Sequence, residues 1–206
     1  MSGELTGASE AVRAAGGAGD GAGAGLVGRL LVAMPEMRDE HFRRAVICVC
    51  DHSSEGAMGL VINRASRRMS FPVILEQLGI EACERTREIR VQSGGPVGTG
   101  RGFVLHSDEY VRDSTVRLSR GVALTNTVDI LRLISRGEGP ERSFLALGYA
   151  GWGAGQLDGE LASNSWLVID SDPELLFGVA LEDRWSAAIR SLGVDPRFVS
   201  QFSGRA

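Results

Sequence analysis

Two strand-like runs facing each other across one polar turn constrain this chain more than any other feature. Residues 42–50 (FRRAVICVC) are β-branched at their centre and end apolar on both faces. Residues 57–63 (AMGLVIN) return after a turn at 51–56. The pair predicts a hairpin whose connection is longer than a two-residue turn. A strand apolar on both faces needs a covering layer on each side.

The rest of the chain supplies those layers. Strands are predicted at 26–33, 88–92, 102–106, 116–118, 122–124, 144–149 and 166–169, with a polar loop at 35–40. Ser70 caps a predicted helix that runs to Leu78 and stops at Gly79. Residues 127–135 have helical spacing before Gly137, and a short helix is predicted near 156–161. Asp172-Pro173-Glu174 is a helix-start signal, and 183–192 forms an amphipathic helix before Gly193. The strands cluster early and do not alternate regularly with helices, so the expected class is α+β. Residues 1–25 hold eight Gly and seven Ala, too little apolar surface to offset the entropy of ordering. They are expected to form a disordered tail ahead of one domain at 26–206.

Composition removes several chemistries. All 22 basic side chains are arginines, which excludes Schiff-base chemistry and a P-loop lysine. The net charge of −4 argues against nucleic-acid binding, where phosphate neutralisation supplies most of the non-specific affinity. Three cysteines, Cys48, Cys50 and Cys83, make no disulfide framework. No run approaches the length of a membrane span, and no charged segment followed by an apolar run marks a secretory signal. A cytoplasmic location is expected.

The densest cluster of chemistry is Cys48-Val-Cys50-Asp51-His52 with Glu55 behind it. On an unbroken strand, positions 48, 50 and 52 point the same way. That arrangement would suit a soft metal, or a Cys50 thiolate activated by His52. The bland alternative is a buried, inert thiol at a strand end. No fourth metal ligand is evident, and no metal or other cofactor is expected. His106 also ends a predicted strand, so His52 and His106 could line one pocket with Glu55. The run from Gly94, Gly95 and Pro96 to Gly102 offers backbone N–H groups to an anion, with Arg101 nearby. A plain strand connection needing positive φ angles is the favoured reading. Trp152 stands in a glycine-rich stretch, with Gln156, Asn164 and Trp166 following. Such aromatics serve as interface anchors or close a core edge. Gly-x-Ser-x-Gly and His-Glu-x-x-His are both absent.

Four blocks read together resemble the YqgE/AlgH family of uncharacterised bacterial proteins. The first is 28–35 (GRLLVAMP) with Asp39 and Phe42. The second is Cys50-Asp-His52 with 55–63 (EGAMGLVIN). The third is Gly94-Gly95-Pro96-Val97 with 102–106 (GFVLH). The last is 147–152 (LGYAGW) with Gly155-Gln156-Leu157, Glu160-Leu161 and Asn164-Ser-Trp166-Leu167. The resemblance covers about residues 26–200 and implies a single compact domain with a mixed sheet folded toward a pseudo-barrel and flanking helices. It implies no mechanism. His52, Asn63, Gly94, Gly95, Pro96, His106, Trp152 and Asn164 match its motif positions and form a candidate site only.

The leading functional expectation is a non-catalytic regulatory or interaction protein with a protein partner. The rival is a small-molecule enzyme or thiol-based sensor using Cys50, His52 and His106. A third, nucleic-acid binding, would need Arg43, Arg44, Arg64, Arg67, Arg68 and Arg101 on one face.

Overall fold

The computed structural model describes residues 25–67 and 69–196. The segment expected to be a tail lies outside them up to residue 24, as do Arg68 and residues 197–206. Nine strands are present among the described residues: β1 Leu30–Ala33, β2 Val46–Ser53, β3 Gly56–Val61, β4 Arg90–Ser93, β5 Val97–His106, β6 Thr115–Ser119, β7 Val122–Thr125, β8 Ser143–Gly153 and β9 Trp166–Ile169. The helices are α1 Phe71–Gln77, α2 Val128–Arg136, α3 Gln156–Ala162 and α4 Arg184–Ser191, with a π-helical turn at Glu174–Gly178.

The strand order is β6-β7-β5-β8-β3-β2-β1-β9, with β4 paired to β8 off this path. Every pairing is antiparallel except β4 with β8. The sheet curls into a half-barrel with helices on its flanks, a single α+β domain. The β2–β3 connection is tighter than its composition suggests. Asp51 and His52 belong to β2, Ser53 pairs with Gly56, and only Ser54 and Glu55 remain as the loop.

The curl is organised by β8. Its first half, Phe144 to Leu147, lies between β4 and β5, and its second half, Ala150 to Gly153, pairs with β3. Gly148 between them has φ +74°, a conformation that only glycine adopts cheaply. A Cβ there would come within 2.5 Å of the Gly95 carbonyl oxygen. The consequence is a change of phase. Phe144 and Ala146 point into the concave face, whereas beyond Gly148 it is Tyr149 that packs there. Ala150 and Trp152 point to the opposite face. One residue has been spent turning the strand, so the period-two alternation restarts inverted.

Three apolar clusters result. The concave face, filled by Leu30, Cys48, Leu60, Phe103, Phe144 and others, is plugged by α4 through Trp185, Ala188 and Ile189. The convex face under α3 holds Leu31, Ile47, Val49, Trp152, Leu157 and Trp166. The third joins α1 and α2 to Val91, Val104 and Leu145. Ser70 stands at the N-cap position of α1 but its side chain makes no capping hydrogen bond, and Gly137 (φ 76°) ends α2.

Candidate functional site

Cys50 and His52 do not share a face. β2 carries a bulge between Val49 and Asp51, leaving Cys50 as the extra residue opposite β3. A bulge shifts the alternation by one, so 48, 50 and 52 do not all point together: Cys48 and Cys50 share a side and His52 departs from it. Cys48 and Cys50 are buried in the concave cluster. His52 pairs with Ala57, whose own neighbour is Trp152, and its Nε2 lies 3.5 Å from Asp158 of α3 on the convex side. The Cys50 thiol donates to the Cys48 carbonyl at 3.5 Å. The Cys48 thiol beside it and its own burial push its pKa well above the ordinary range. A buried thiol with a raised pKa fits the inert reading better than an activated thiolate. Cys83 is the exposed cysteine.

His106 lies far from His52. It pairs with Ser143 at the start of β8, whereas His52 reaches β8 through Ala57 at Trp152. Nine residues of β8, turned once at Gly148, separate those positions. The single-pocket expectation for the two histidines fails because His106 is wholly buried against Thr125 of β7, whereas His52 lies against Asp158 of α3. The His106 ring is wholly buried, bonding the Ser107 carbonyl at 2.9 Å and the Thr125 hydroxyl at 2.9 Å. Burial lowers its pKa, so it is a neutral, satisfied core histidine.

Trp152 is buried, which decides between an exposed anchor and a core edge. Its indole N–H donates to Glu160 Oε2 at 3.0 Å, and that of Trp166 donates to the same oxygen at 2.7 Å. Gln156 Nε2 donates to Glu160 Oε1 at 2.9 Å, while its own oxygen accepts from the Gly153 N–H. Phe42 stacks on Trp152 and meets Trp166 edge-on. The cluster rivets α3 to β8 and β9.

The other motif positions shape the backbone. Asn63 accepts from the Val46 N–H and donates to the Arg44 carbonyl, holding Arg44 at its positive φ. Gly94 and Gly95 let the chain cross β8, where a Cβ on either would overlap backbone atoms of residues 148–150. Pro96 beside them is exposed, and 97–102 is part of β5, in keeping with the strand-connection reading of this run. Asn164 adopts φ 56°, ending α3 so that Trp166 can enter β9. Glu55 is exposed in the hairpin loop. Arg64 donates to the Glu40 and Arg43 carbonyls, and Arg44 lies over Trp185. Among the described residues, no three His, Cys, Asp or Glu side chains converge to hold a metal.

The concave face has one further feature, which sequence reasoning missed. Where β4 and the start of β8 meet α4 and the π-helical turn, a cavity of about 590 Å³ is lined by Arg90, Gln92, Arg142, Phe144, Phe177 and Arg184, among others. Arg90 and Gln92 alternate with Val91, which faces the α1–α2 cluster, so the two share the concave side. Gln92 is fully buried, and neither its side-chain oxygen nor its nitrogen has a hydrogen-bond partner among the described residues. Arg184 is 1% exposed and also lacks a carboxylate partner. Its Nε donates to the Val179 carbonyl at 3.1 Å and its Nη1 to the Ile62 carbonyl, with the guanidinium over Phe144. Burial, with a smaller push from Arg90, lowers its pKa to about 10, so it stays charged at neutral pH. The lining contains neither histidine nor cysteine.

A half-barrel α+β domain whose concave face is plugged by its last helix defines the structural class. The chain belongs to the AlgH-like family, whose model matches residues 30–197. A UPF0301 protein of Rhodospirillum rubrum is 51% identical over 181 residues, covering 88% of this chain and 94% of that protein. Another from Bradyrhizobium diazoefficiens is 47% identical over 205 residues, covering 96% of each. The solution structure of AlgH from Pseudomonas aeruginosa superposes with a TM-score of 0.72 at 41% identity, covering 92% of this chain and 98% of that one. A Corynebacterium diphtheriae protein shares the fold at 22% identity, with a TM-score of 0.67 over 86% of this chain and 91% of that one. Among the described residues, no helix is long and apolar enough to cross a membrane.

Proposed function

We propose that this chain is a cytoplasmic, non-catalytic regulatory protein that takes up a small ligand at the mouth of the half-barrel. The observation that carries this is Gln92, a buried amide whose two polar atoms lack partners in a lined cavity. Folding leaves such a group unmatched at a cost of about 1–3 kcal/mol, which a ligand supplying the missing bonds would recover. Recognition is favoured over turnover because none of the three cysteines and three histidines of the chain lines the cavity. A protein that binds without converting has no product to deliver, so its occupancy must be read by a protein partner.

The test is dialysis of the purified chain against a small-molecule extract, followed by mass spectrometry of what is retained and of what changes. The expected result is one compound held by the wild type, lost from Gln92→Glu, and released chemically unaltered. Conversion of a compound by the protein would overturn the non-catalytic assignment.

A further inference from the structure

We infer that the half-barrel cavity is an oxyanion site, taking a small organic carboxylate or phosphate on Arg184 and a polar group of the same ligand on Gln92. This inference rests on the ligand-binding reading above and names the chemistry of its ligand.

A guanidinium that is 99% removed from solvent normally sits against a carboxylate, because an unpaired buried charge is costly. Arg184 has two backbone carbonyls instead. These hold its plane and occupy Nε and Nη1, and no group among the described residues accepts from Nη2. The held fork suits an incoming oxyanion, since its rotamer is already fixed before binding. An arginine here could not be traded for a neutral base, as even its lowered pKa of about 10 keeps it cationic.

The other charges lining the cavity do not cancel it. Arg142 lines the cavity but is paired at 3.2 Å with Glu174, which does not. Arg90 adds positive charge from β4, strongly enough to disfavour the Arg184 cation. Glu88 and Glu141 also line the cavity, but both are exposed. Charges in solvent are screened over about 8–10 Å at physiological salt, whereas a buried one is not. Arg90 and Arg142 are exposed as well, so the one buried charge among these lining residues is that of Arg184.

Gln92 sets the second requirement. Its amide offers two donors and one acceptor and has no surface open to bulk solvent. A bare halide could accept from Arg184 and from the Gln92 N–H groups but would leave the amide oxygen without a donor. A ligand that carries a hydroxyl, amide or second oxygen beside its anionic group meets both. Phe144 and Phe177 provide the apolar wall between them. The carboxylate and the phosphate classes share this chemistry, and the experiment separates them.

Calorimetric titration of the full chain with sodium phosphate, and separately with sodium succinate, at ionic strength matched by sodium chloride, tests the site. Saturable binding of either is expected; phosphate alone points to phosphorylated ligands, and succinate alone to carboxylates. Gln92→Glu, which places a carboxylate in the cavity, should weaken binding at least tenfold, about 1.4 kcal/mol. Gln92→Met should weaken it while leaving Arg184 and the fold in place, and Arg184→Lys should weaken it through loss of the planar fork. Absence of saturable binding by both probes at millimolar concentration overturns the inference, as does affinity unchanged in Gln92→Glu and Gln92→Met. A neutral or cationic compound retained from the extract would overturn the oxyanion assignment while leaving the ligand-binding role standing. Retention of nothing would end that role as well.

Discussion

Gln92→Met should make this protein more stable. The wild-type amide is fully buried with its oxygen and nitrogen both unpartnered. Mutational data put the cost of a buried polar group without its hydrogen bond at about 1–3 kcal/mol. Methionine has nearly the same length, no strong polar atom, and enough torsional freedom to fill the same space beside Phe144 and Ala146. Imperfect shape returns up to about 1 kcal/mol. The balance is a gain of about 1–2 kcal/mol, or roughly 2–8 °C in Tm for a chain of this size. Urea unfolding followed by tryptophan emission measures it, with an unchanged m-value showing that the denatured state is unaffected. A loss of 1 kcal/mol or more would refute the reasoning, because it would mean that the amide is satisfied in the folded protein, for instance by a held water. A gain in stability accompanied by loss of oxyanion binding is the signature of a site kept at the expense of the fold.

Two further expectations rest on other parts of the molecule. Glu160→Ala strands two indole N–H groups and should cost about 3 kcal/mol in urea unfolding, while Glu160→Gln, which keeps one acceptor oxygen, should cost about 1. Equal losses for the two would mean that packing, and not the shared acceptor, is what matters. For His106, the folded pKa lies below the unfolded value of about 6.5, so the unfolded chain takes up the proton first. Stability attributable to this group is complete above pH 6.5 and falls with pH below it, by at most about 1.4 kcal/mol per unit. His106→Asn should remove that slope between pH 6.5 and 5, and an unchanged slope would place the titrating group elsewhere.

What the sequence disclosed and what it hid follow from how far apart the deciding residues lie. The hairpin strands, the Ser70 and Gly79 limits of α1 and the Gly137 stop of α2 were legible because each signal sits within a few residues of its effect. The bulge at Cys50 was not, since an extra residue on a strand changes no local propensity and shows only against its partner strand. The same holds for Gly148, one glycine among 28, which is singular only because Gly95 crosses it. The family motifs pointed to Gly94, Asn63 and Asn164, and these positions bend, tie and end the backbone. The cavity was hidden more deeply, because Gln92 and Arg184 lie 92 residues apart in the sequence and neither belongs to a motif. Both left a faint trace. Arg184 occupies the stripe of α4 that Ala188 and Trp185 bury, where a cation is out of place, and Gln92 shares the inward face of β4 opposite Ala146. A polar residue at an apolar phase costs stability unless something meets it. In this chain the residues that break the pattern, not the ones that repeat the motif, are where a ligand would be recognised.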